Sequence, residues 1–131
     1  MNEYFKKVLD YTVRLALDIT HRDDTEELIV VSNEDRGIYQ MVIDCEYPIL
    51  IIEQLIYKIE KKSSDHFLQL LKMNRNLIHG AFVIDEDETQ VLFRDTLQLE
   101  NLDFNELEGT INALTLGLAE YSGKLLKLNQ Q

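Results

Sequence analysis

A chain of 131 residues with 24 acidic and 13 basic side chains, net charge −11, has the size of one domain. It repels polyanions, so neither nucleic acid nor an anionic membrane is an expected partner. Apolar content of 45% with one Pro and five Gly suffices for a single core and excludes a low-complexity chain, while the lone Cys45 excludes an intramolecular disulfide and fits a reducing, cytoplasmic setting. The N-terminal stretch lacks the continuous apolar core of a signal peptide. Uninterrupted apolar runs such as Ile49–Ile52 fall far short of the roughly 20 residues that span a bilayer. One domain over residues 1–131 is expected.

In chain order, Asn2 or Glu3 opens a helix expected to run to about Thr20. Phe5, Val8, Leu9, Thr12, Ala16 and Ile19 share one face, which Tyr4, Tyr11 and Leu15 widen. His21 to Thr25 is a polar break that ends it; His21, Asp23 and Asp24 supply too few ligands for a metal site. The β-branched run Leu28–Val31, the turn residues 32–37, and the alternating Ile38–Asp44 read as an antiparallel hairpin. Pro48 then breaks the chain, and ILIIEQLIYKI is read as a third strand, although residues 53–60 have a composition a helix also accepts.

Ser63 or Ser64 caps a short helix, because a side-chain oxygen satisfies an orphan N–H of the first turn and Asp65 favours the positive end of the dipole. Phe67, Leu70 and Leu71 form its expected buried stripe, with Leu68 beside them. A hairpin follows, in which Ile78, Gly80, Phe82 and Ile84 take one face of the first strand and Ala81 and Val83 keep the other apolar. Both faces call for burial, more than the rest of the chain can provide, so a second copy is expected. Phe67, Leu70, Leu71, Ala81 and Val83 are the candidate interface of this homodimer. The acids at 85–88 are contiguous, unlike the spaced ligands of a calcium loop, and form a solvated turn.

The last helix starts at Asp103 and Glu106, spaced as a capping box, and Leu107, Ile111, Leu114, Leu118, Tyr121, Leu125 and Leu128 make one stripe. Glycines at 109, 117 and 123 imply close backbone approach to a sheet. No catalytic set emerges: the histidines at 21, 66 and 79 are scattered, Cys45 sits in an apolar strand, and the glycines never take phosphate-loop spacing. No enzyme activity, cofactor or metal is expected.

The order helix, three strands, helix, two strands, helix describes an α+β fold, an antiparallel sheet packed by helices. From Phe67 to Leu126 the chain resembles the type III secretion chaperones, including the Tir chaperones, and their sensory-regulator-like relatives of the YbjN type. The resemblance rests on a leucine-rich short helix ending at Asn74, a Gly-Ala-Phe strand at Gly80–Phe82, an acidic turn, a second strand, a Leu-x-x-Leu-Asp element at Leu99–Asp103, and a long C-terminal helix. It implies a non-enzymatic homodimer whose first helix and sheet grooves hold an extended segment of a secreted client protein. On this chain the matching positions of the first helix are Tyr4, Val8, Tyr11 and Leu15, the candidate partner-binding residues. The alternative is a regulatory or small-ligand-sensing dimeric domain of the YbjN-like type.

Overall fold

In a computed structural model describing residues 2–130, the chain opens with α1, Glu3–Arg14. Asn2 caps it, its Oδ1 accepting the Tyr4 N–H at 2.7 Å, and the helix buries Phe5, Val8 and Thr12. It stops well before Thr20. The chain leaves the helix through Ala16, at φ 59°, and Asp18–Asp23 becomes a strand, β1. Ala16 and Ile19 match the helical stripe only by coincidence of spacing. Pairing of Asp18–Asp23 with β2, Leu28–Asn33, wins instead, and the connecting turn is locked by Asp23, whose Oδ1 accepts the N–H groups of Thr25 and Glu26, both at 3.0 Å. An Asx turn of this kind starts hairpins as readily as it ends helices.

The five expected strands all form, and β1 adds a sixth. After a single 3₁₀ turn, Glu34–Arg36, come β3, Ile38–Glu46, and β4, Ile49–Lys58. The stretch accepted as a strand at 49–59 is therefore extended, as its β-branched content favours. β5, Ala81–Ile84, and β6, Gln90–Gln98, complete one antiparallel sheet in the order β1-β2-β3-β4-β6-β5. β4 and β6 are paired from Ile49 opposite Gln98 to Lys58 opposite Gln90.

Period-two alternation sends Ile29, Val31, Met41, Ile43, Leu50, Ile52 and Phe93 to one face, where they are fully buried beneath α1 and α3, Phe104–Gln130. Phe5, Val8, Leu107, Ile111 and Leu114 fill the space above them. A second cluster unites α2, Ser64–Asn74, with the far half of α3 through Leu70, Met73, Phe82, Val91, Tyr121, Leu125 and Leu128. The caps fall where the sequence put them. Ser63 Oγ accepts the His66 N–H at 3.0 Å and Asp103 Oδ1 accepts that of Glu106 at 2.9 Å. Arg36 ties the helices to the sheet, donating to the Leu15 carbonyl at 3.0 Å and to Asn112 Oδ1 at 2.9 Å.

Four local expectations fail. Leu71 does not join the buried stripe of α2; it is 68% exposed, and Met73 and His66 lie inside instead. Ile78 lies outside β5 and is 84% exposed, because Gly80 turns the backbone at φ 73°, where a Cβ would run into the Phe93 ring. The glycines of α3 do not approach the sheet. Gly109 receives the His79 ring, Gly117 receives Leu77, and Gly123 faces open space, so the close approach is to the 77–79 linker. Leu118, placed with Leu114 in the stripe of α3, is half-buried, whereas Leu114 is 1% exposed. Leu114→Ala should therefore cost about 2–5 kcal/mol of stability, while Glu120→Ala on the exposed side should be near neutral. Thermal melting of the two variants checks this.

Candidate functional site

The residues expected at a dimer interface divide into three environments. Leu70 is 3% exposed and belongs to the core; Phe67 is half-buried; Leu71 stands in solvent beside exposed Leu68. Ala81 and Val83, half-buried, lie on the opposite side of the sheet from Phe82, which packs against the α2 cluster. The two groups come together only around the edge strand β5. That edge is sealed: Asn74 Oδ1 accepts the Phe82 N–H at 2.7 Å and Asn74 Nδ2 donates to the Phe82 carbonyl at 3.0 Å. A side-chain amide thus stands in for a seventh strand, one of the ways a sheet edge is protected. The α2 surface with Leu68 and Leu71, rather than the β5 backbone, is what this end of the molecule offers.

Of the four α1 candidates, Val8 is 0% and Leu15 5% exposed. Both anchor α1 in the core. Tyr4 and Tyr11 are half-buried within an aromatic band. Tyr4 stacks on exposed Tyr47 at 5.6 Å, Tyr11 meets the Phe104 ring edge at 5.7 Å, and Arg14 lies over Phe104 at 4.3 Å.

The titratable groups are placed for structure. His66 is buried, its Nε2 2.6 Å from the Tyr57 hydroxyl and its Nδ1 3.3 Å from the Lys61 carbonyl. Nδ1 is thus the donor and Nε2 accepts from Tyr57. Burial pushes the Tyr57 hydroxyl up to about 12. Burial, with Glu27, Asp44 and Glu46 nearby, pushes the Cys45 thiol to about 12 as well, so little thiolate is present for chemistry. Among the described residues no group of three or more His, Cys, Asp or Glu is arranged to hold a metal. Nor, among the described residues, is any helix long and apolar enough to cross a membrane.

Two of the concave surfaces carry mainly apolar or acidic side chains. One groove, about 360 Å³, runs between the 77–79 linker and α3 and is lined by Leu77, Ile78, His79, Ala113, Leu116 and Gly117 among others. The other is a depression of about 210 Å³ lined by Val42, Asp44, Ile51 and Glu53, on the sheet face that carries no helix. Here Val42 lies opposite Val30 on β2 and Glu53 on β4, and Glu53 opposite Arg94 on β6. Glu53 and Arg94 form a salt bridge. Sequence reading missed this face because it counted outward positions strand by strand, and the register that assembles them is a long-range property.

Comparison with known proteins agrees with this architecture. The family CesT_Tir_1 matches the chain over residues 1–131. Among solved structures, YbjN from E. coli superposes with a TM-score of 0.70 at 8% identity, covering 92% of each chain. The ExsC–ExsE complex contains a chain matching at 0.66 and 18% identity, over 95% of this chain and 97% of that one. A structure of the Yersinia pestis type III secretion chaperone SycH with a stable fragment of YscM2 matches at 0.56 and 14% identity, over 95% and 98%. At these identities the likeness establishes the fold. No curated protein matches by sequence.

Two outcomes follow from the site's geometry. Asn74→Ala leaves the Phe82 N–H and carbonyl without their partners, a loss of about 1–3 kcal/mol, and should also increase concentration-dependent association, measured by light scattering. Asp44 makes the second. Burial, followed by its neighbours Glu46, Glu26 and Glu53, lifts its carboxyl from 3.8 to about 6. The folded chain therefore holds this proton more tightly than the unfolded chain, and the resulting stability is full below about pH 4 and lost as pH rises through about 6. Asp44→Asn should raise the melting temperature at about pH 7.5 and the advantage should shrink to nothing by about pH 4, read from melting curves across that range.

Proposed function

Because the chain belongs to the CesT_Tir_1 family, the type III secretion chaperones, we propose that it is a non-enzymatic protein-binding module that acts as a homodimer and holds an extended segment of a client protein. The observation that carries the reading is the exposure of Leu68 and Leu71 on α2, next to a sheet edge that Asn74 has closed to strand addition. Exposed leucines grouped on one helix face mark an interaction surface. In a homodimer, a two-fold axis beside α2 brings Leu68 and Leu71 of one copy against the same residues of the other, the self-complementary contact such symmetry requires. Ala81 and Val83 border that contact, and Phe67 supports it from within. Tyr4 and Tyr11, with Tyr47 and Phe104, present a separate aromatic band for a client, while Val8 and Leu15 hold α1 in place beneath it.

The relatives' structures support this reading by what they contain: ExsC with ExsE, SycH with a fragment of YscM2, and the HopA1–SchA chaperone–effector complex. A second reading, a small-ligand-sensing domain of the YbjN-like type, is favoured by the groove between the 77–79 linker and α3. A ligand-dependent rise in melting temperature would be its sign.

Light scattering at micromolar concentration should give about twice the 15.4 kDa of one chain, and Leu71→Glu should return the monomer mass because it places like charges at the axis. Co-expression with the proteins encoded beside its gene should yield a complex with a client. A monomer across the micromolar range overturns the homodimer, and the absence of any complex overturns the client-binding role.

A further inference from the structure

The uncovered face of the sheet departs from what water alone would select. An antiparallel sheet with one solvated face ordinarily alternates apolar inward and polar outward. Here Ile29, Val31, Met41, Ile43, Leu50 and Ile52 on the inward face of β2, β3 and β4 are fully buried, yet the outward positions between them include Leu28, Val30, Val42 and Ile51. Register brings these together: Val30 lies opposite Val42, Leu28 opposite Asp44, and Asp44 opposite Ile51. The result is an apolar strip three strands wide with the depression of Val42, Asp44, Ile51 and Glu53 at its middle.

The charge around that strip has one sign. Asp44 and Glu53 stand within it, and Glu26 and Glu46 lie at its end, near enough for Glu46, Glu26 and Glu53 to act on Asp44. Asp44 Oδ1 is enclosed without a hydrogen-bond donor. Arg94, the cation of the central row, is already engaged by Glu53, and His21 lies farther out, opposite Val30. A second copy laid face to face would set Asp44 and Glu53 against the same acids, which disfavours self-association here. An occupant whose apolar side chains fill the strip and whose ammonium or guanidinium groups reach Asp44 and its neighbours Glu46 and Glu26 would satisfy both features.

We propose that this uncovered face, centred on Val42 and Asp44, is a docking site for a basic amphipathic segment of a partner protein, one that alternates apolar residues with Lys or Arg. The inference rests on the client-binding reading and specifies the client's chemistry and the surface that holds it. The site is separate from α2, so a dimer formed through Leu68 and Leu71 carries two copies of it.

The test uses the full chain and a fluorescently labelled synthetic peptide alternating Leu and Lys, with Leu/Glu and Ser/Lys peptides as controls, read by anisotropy. The Leu/Lys peptide should bind and the two controls should not. Val42→Lys should weaken binding about tenfold or more, and the isosteric Asp44→Asn, which guards against a folding defect in the first variant, about threefold. Leu116→Lys, in the groove on α3, should leave binding unchanged. Equal binding of the Ser/Lys peptide, no binding of the Leu/Lys peptide, or indifference to both face substitutions overturns the proposal. If a natural client still forms its complex with both face variants, the surface is wrong and the chaperone-like reading stands; if no client complex forms at all, that reading fails with it.

Discussion

The pairing of β4 with β6 is the contact on which the rest of the molecule depends. It joins a four-strand meander, β1 to β4, to a hairpin that arrives only after α2 has been made. Its partners lie some 30 to 50 positions apart along the chain, so the entropy of closing that loop must be met by side chains buried along both strands. Leu50, Ile52, Val91 and Phe93 supply that burial, and the Leu99 N–H donates to the Pro48 carbonyl at 3.0 Å where the ladder ends. α2 can then lie only beside the outer hairpin, and α3 must cross back over the whole sheet, which is why α3 contributes to both core clusters.

From this follows the division of the molecule into a dry side and a side that faces outward. All three helices are needed over the first side, and none of the described residues is left to cover the second. Of the acids on the outward face Glu53 has Arg94 as its partner, whereas Asp44 is held there by the register of its strand, with one carboxylate oxygen left without a donor. Asp44 shows the cost, since its carboxyl binds a proton more readily in the folded chain than it would in water. A stability maximised for the isolated chain would have placed a neutral residue at this position.

Much of this architecture was legible in the residues. Ser63 and Asp103 fill their capping roles, Leu107, Ile111 and Leu114 point inward, and the Ile49–Lys58 stretch is extended. Local chemistry and simple periodicity decide these positions. The errors share a different cause. Ile19 satisfies a helical period and a strand equally well, and only the presence of β2 alongside makes it a strand residue. Val8 and Leu15, matched to a client-holding helix by resemblance alone, are buried because the depth to which α1 sinks onto the sheet is set by long-range packing. Gly109 and Gly117 announced a close approach correctly, yet the approaching chain is the 77–79 linker. The clamp at Asn74 carries no pattern at all, since an asparagine at the end of a helix is commonplace until its amide is seen against a strand.

That clamp sets the valency of the sheet. Growth of one sheet into an unlimited stack needs two free and complementary edges on every copy, because a chain of molecules joined head to tail lengthens only if each unit can both receive and offer a strand. With the Phe82 backbone occupied by Asn74, strand-wise addition is disfavoured at β5 and left to the β1 end, where a bulge between Ile19 and His21 already interrupts the pairing register. A unit with one usable end can terminate a polymer or form a pair, but it cannot propagate. One amide side chain therefore caps the degree of polymerisation of a molecule rich in β-structure, leaving its apolar surfaces free for association that comes to a defined stoichiometric end.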